Sequence, residues 1–71
     1  MLEKITFLDR DGNERTLSVG QRVKVDMGAW SEPRFGTVDE VSYDIKNGEP
    51  GFAYTGTRGE SWWAYVDQLM D

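Results

Sequence analysis

Few residues in this chain are equipped for chemistry. Its 71 residues include no cysteine and no histidine. Thiolate nucleophiles, disulfides, histidine-ligated metals and Ser-His-Asp triads therefore have nothing to be built from. Two carboxylate groupings remain. Asp9-x-Asp11-x-Asn13 opens like a calcium loop, but such a loop needs glycine at its sixth position and glutamate at its twelfth. Here those positions hold Glu14 and Gly20. A hairpin turn accounts for the same residues, because Asp, Gly and Asn all suit tight turns. Asp39-Glu40 would serve as an acid/base pair only across a pocket, about 5–9.5 Å apart. Neighbours in a strand point to opposite faces instead. With no phosphate loop and no activated nucleophile, the chain is expected not to be an enzyme and to hold no metal or cofactor.

The remaining chemistry is aromatic. In Trp62-Trp63-Ala64-Tyr65 the two tryptophans are adjacent, so one strand cannot bury both in a small core. Trp62 shares parity with Ala64 and Val66 and is expected to point inward. Trp63 and Tyr65 then share the outer face. Covering apolar surface is worth about 25 cal/mol per Å², and Trp and Tyr are the residues enriched at binding hot spots. Trp63, Tyr65 and Trp30 are therefore expected to form a patch rimmed by Arg58, Glu60 and Asp67, for a protein partner or a second copy. The structural alternative has Trp63 lying beneath the Trp30 loop. Phe35 and Tyr43 join the candidates if a bulge turns them outward.

Charge narrows the partner. Thirteen acids against eight bases give a net charge of −5. Residues 1–35 carry six of each sign, so the excess arises wholly in residues 36–71, where only Lys46 and Arg58 are basic. This balance argues against nucleic acid as the partner. Two other readings stay open. Asp39, Glu40, Asp44 and Glu49 on one face would suit a small acidic inhibitor of phage type that imitates a nucleic-acid backbone. Arg10, Arg15, Arg22 and Lys24 beside aromatics would suit a weak single-strand binder. No stretch approaches the roughly 20 apolar residues of a membrane helix, and the amino terminus lacks the apolar region of a signal peptide. A cytoplasmic protein that avoids membranes is the expectation.

These side chains must be positioned by short strands. Ile5 and Phe7 share a face in Lys4–Leu8, as do Leu17 and Val19 after the Asp11-Gly12 turn. Val23 and Val25 alternate with outward Arg22 and Lys24. Pro33 marks a loop around Trp30. In the next strand Val38 and Val41 have opposite parity, so burying both demands a bulge between them. Asn47-Gly48 is the strongest hairpin signal. Phe52 and Tyr54 share a face in the strand that follows, and Ser61 to Tyr65 is the last strand. Residues 66–70 are expected to make one helical turn that returns Leu69 to the core. The pattern predicts a single all-β domain over residues 1–71: a small, partly open barrel of five to six antiparallel strands with a short C-terminal helical turn.

Val19-Gly20-Gln21-Arg22-Val23-Lys24-Val25, Gly36-Thr37-Val38 and Trp62 through Leu69 together resemble an SH3-like barrel, over residues 19–69. That resemblance implies a fold shared by functionally unrelated families and assigns no activity. KOW-type barrels carry a similar Gly-x-Val strand but are usually basic. Gly20-Gln21-Arg22-Val23, Gly28-Ala29-Trp30 and Tyr65 also resemble type II dihydrofolate reductase. That family builds its pore around Val-Gln-Ile-Tyr. Trp62-Trp63-Ala64-Tyr65 stands in its place here, so only Tyr65 carries over and folate reduction is not implied.

Overall fold

In the computed structural model, which describes residues 2–70, nearly every alternating stretch becomes strand. The strands are β1 (Lys4–Leu8), β2 (Glu14–Ser18), β3 (Arg22–Val25), β4 (Arg34–Lys46), β5 (Glu49–Gly56), β6 (Ser61–Tyr65) and β7 (Leu69–Met70). A 3-10 turn over Val66–Gln68 is the one helical element among the described residues. The fold is all-β, with seven strands where five to six were expected. β1 and β2 form a hairpin of their own. The other five make one antiparallel sheet in the order β6-β5-β4-β3-β7, curled into a half-barrel.

Local chemistry explains each corner. At the β1–β2 turn one Asp9 carboxylate oxygen accepts hydrogen bonds from the backbone N–H groups of Asp11 and Asn13, both at 2.9 Å. That oxygen holds a turn, as the hairpin reading requires. β4 runs for 13 residues and slips register between Val38 and Glu40. This is the expected bulge, and it lets Val38 and Val41 both point inward and become buried. After a second irregularity the chain reverses at Asn47-Gly48, with φ of 58° and 77°. Positive φ at both central positions is what a two-residue hairpin turn demands. An Asp44 carboxylate oxygen accepts from the Gly48 N–H at 2.8 Å and fastens the turn.

The core lies between the hairpin and the hollow of the half-barrel. Ile5 and Leu17 come from the hairpin, facing Val23, Val25, Val38, Val41, Phe52, Tyr54 and Ala64. The rings of Phe52 and Tyr54 meet at 5.5 Å, tilted by 45°. Phe7, Met27, Val66 and Leu69 pack around this cluster.

Two expectations need correction. Val19 does not join Leu17 inside: the Gln21 N–H bonds the Ser18 carbonyl, so Val19 sits on a turn and is exposed. Leu69 does return to the core, but as part of a strand. The helical turn stops at Gln68 and Leu69 pairs with Val25. Tyr43 is exposed, yet its hydroxyl accepts the Thr6 N–H at 3.2 Å and ties β4 to β1.

Candidate interaction surface

β6 has two faces, and each carries a tryptophan with a cation over its ring. On the outer face, Trp63 and Tyr65 stand edge to face with centroids 5.2 Å apart and planes at 89°. The geometry brings them together because they are two residues apart in a strand. Opposite Trp63 across the ladder lies Ala53, whose methyl group is too small to cover the indole. Trp63 remains 47% exposed. Lys46 Nζ lies 5.2 Å from the Trp63 ring centroid, a cation–π contact. Beside it the Asn47 amide reaches the Tyr65 hydroxyl at 3.5 Å. The β4–β5 turn and β6 thus jointly make a patch with an aromatic floor and a polar edge.

The cation nearest the patch is not one named from the sequence. The cation over Trp63 is Lys46, and Arg58 lies exposed in the β5–β6 turn. Asp67 sits in the 3-10 turn, where its backbone carbonyl accepts from Arg10 Nη2 at 2.7 Å. Trp30, in the β3–β4 loop, is fully exposed and covers nothing, so Trp63 does not lie beneath it.

Trp62 occupies the inner face with Ala64, opposite Tyr54, as parity requires. It is nonetheless 40% exposed, which corrects the expectation of a buried ring. β6 is the edge of the sheet, and Trp62 lies at its beginning, next to the β5–β6 turn, whereas Ala64 further along the same face is buried. Arg34 lies over the ring, its guanidinium carbon 3.7 Å from the ring centroid. Glu60 completes this second group. Gly36 and Gly56 face each other across β4 and β5. The space over Gly56 is taken by the Glu60 side chain, and the space over Gly36 by the Tyr54 ring.

The Glu60 carboxyl is held below its ordinary pKa by its own backbone N–H first. The Trp62 indole N–H, the Arg58 backbone N–H and the Arg34 guanidinium act in the same direction, against partial desolvation. A carboxyl with a depressed folded pKa adds stability that is present above its unfolded value, about 4.3. That stability is lost as pH falls through the lower folded value. The Trp62 indole N–H resonance is expected to shift with a midpoint below that of an ordinary glutamate and to stay flat in Glu60→Gln. A midpoint at or above the ordinary glutamate value would show that these contacts do not favour the carboxylate.

The basic residues divide. Arg10 donates to the Asp67 carbonyl and shares a cavity with Arg15, Asp9, Asp11, Asp26 and Asp67. Arg15 also reaches a groove of about 290 Å³ that Arg22 and Lys24 line with Phe35. Lys24 Nζ is 5.8 Å from the Phe35 centroid, and Phe35 is exposed. No carboxylate lines this groove among the described residues. The acids are partly occupied: Asp39 accepts from the Thr55 hydroxyl and Asp44 from Gly48. Among the described residues no helix is long and apolar enough to cross a membrane. No protein-family model, no curated protein and no solved structure matches the chain.

Proposed function

We propose that the chain is a small SH3-like barrel that acts without catalysis, binding a protein partner through the Trp63–Tyr65 face of β6. The observation that carries this reading is the edge-to-face pair in which Trp63 is half in water and Tyr65 partly buried, with Lys46 over the Trp63 ring and Asn47 against the Tyr65 hydroxyl. Covering such rings supplies apolar free energy, and the neighbouring charges set orientation and on-rate. A second reading, binding of a single nucleic-acid strand, is favoured by the groove in which Arg22 and Lys24 meet Phe35.

One capture experiment separates the two. The tagged chain, Trp63→Ala and Arg22→Ala serve as baits in lysate of the source organism, and retained proteins and nucleic acid are identified. The expected result is a protein held by wild type and Arg22→Ala but lost from Trp63→Ala, whose circular dichroism stays native. Equal retention by all three baits would overturn the patch. Nucleic acid held by wild type and Trp63→Ala but lost from Arg22→Ala would transfer the function to the groove.

A further inference from the structure

β6 is an edge strand, paired among the described residues with β5 alone. The direction of its backbone groups follows from one bond. The Gly56 N–H donates to the Glu60 carbonyl at 2.8 Å, so Gly56 and Glu60 form a hydrogen-bonded pair. Antiparallel ladders alternate hydrogen-bonded and non-hydrogen-bonded pairs. Thr55–Ser61 and Ala53–Trp63 are therefore non-hydrogen-bonded, whereas Tyr54–Trp62 and Phe52–Ala64 exchange bonds. The N–H and C=O groups of Ser61, Trp63 and Tyr65 consequently point away from β5. Tyr65 agrees, since its N–H donates to Gln68 Oε1 at 3.0 Å and not to the sheet. That leaves Ser61, the first residue of the strand, and Trp63 at its centre with backbone groups that point away from β5.

Natural edges are usually blunted by a charge or a proline within the strand. Ser61-Trp62-Trp63-Ala64-Tyr65 has neither. The free edge and the aromatic face coincide at Trp63, which offers a ladder position and a side-chain contact together. We infer that β6 accepts an extended segment of a partner protein as an added strand, apolar opposite Trp63 and basic at its ends. This rests on the protein-binding reading above and specifies how the patch is used. Charge selects the occupant. β4, β5 and β6 lie side by side and fall almost wholly in residues 36–71. Those residues carry the whole net charge of −5 despite Lys46 over Trp63, and Asp67 follows the strand. A second copy would bring the same excess to the same edge, whereas a basic segment is drawn to it. Backbone bonds supply affinity in this mode, and alternate side chains supply specificity.

The test is selection of a random linear twelve-residue peptide library on the wild-type chain, followed by titration of the enriched peptides. The expected consensus alternates, with an apolar centre and Lys or Arg about four positions away. Ser61→Pro removes an outward N–H that makes no ladder bond, at a strand's first residue, where proline is tolerated. It is expected to weaken the selected peptide at least tenfold while leaving the fold native. In wild type the Trp63 amide is expected to exchange more slowly once peptide is bound, a readout that needs no variant. Peptides that bind Ser61→Pro unchanged but fail on Trp63→Ala would overturn strand addition and leave the aromatic face standing. No enrichment above an unrelated barrel would overturn strand addition, with the lysate capture left to decide the face. A concentration-dependent dimer abolished by Ser61→Pro would overturn the basic segment as occupant.

Discussion

Phe52→Ala is expected to remove about 3–5 kcal/mol of folding free energy, the range for deleting a buried aromatic ring. Phe52 is wholly buried, in register between Val41 on β4 and Ala64 on β6, and its ring touches that of Tyr54. Both flanking strands are held by ladder bonds, so the sheet cannot collapse into the cavity. The rest of the molecule has little to spare. At about 0.05–0.15 kcal/mol per residue, a chain of this length has about 4–11 kcal/mol in total. The loss is therefore a large fraction of the total, and at the low end of that range the variant lies near its unfolding midpoint at 25 °C. Urea titration followed by tryptophan emission measures this, and a loss below about 1 kcal/mol would show that the ring does not fill the core.

Gly36→Ala is expected to destabilise by about 1–3 kcal/mol, although alanine would normally stiffen the unfolded chain and help. A methyl group at Gly36 would stand 2.6 Å from the Thr55 carbonyl oxygen and 2.6 Å from Tyr54 Cδ2. The first of these is backbone on the paired strand and the second is a buried ring, so neither moves cheaply. Either β4 and β5 part locally or Tyr54 leaves its seat. The sign decides the matter. A variant as stable as wild type, or more so, would mean that the close approach of Tyr54 to Gly36 is not a constraint. The same urea titration reads it, and the Tyr54 ring resonances show which way the strain is relieved.

Much of this architecture was legible because strand periodicity reports the facing of each residue. Val38 and Val41 required a bulge by parity alone, and Asn47-Gly48 required a hairpin. Facing is not depth, however. Parity placed Trp62 on the inner side correctly, but only the tertiary position of β6 at the sheet edge leaves that ring exposed. The cations were illegible for a related reason. Lys46 reaches Trp63 because β4, β5 and β6 lie side by side, and Arg34 reaches Trp62 from β4. No sequence spacing encodes either approach. β7 was missed because two residues are too short for alternation to show, and its existence depends on β3 being there to receive it.

That small strand has a kinetic meaning. β3, β4, β5 and β6 follow one another in sequence and join through short connections, so each pairing can zip from the last. The β3–β7 clasp instead joins residue 24 to residue 70 and must close a long loop for two ladder positions, helped by the Asp26 N–H on the Gln68 carbonyl. Loop-closure entropy grows with length, and a clasp so brief returns little for it. The clasp is therefore expected to form last and to release first, so that transient opening of the native chain starts at its carboxyl end and bares the far side of β3.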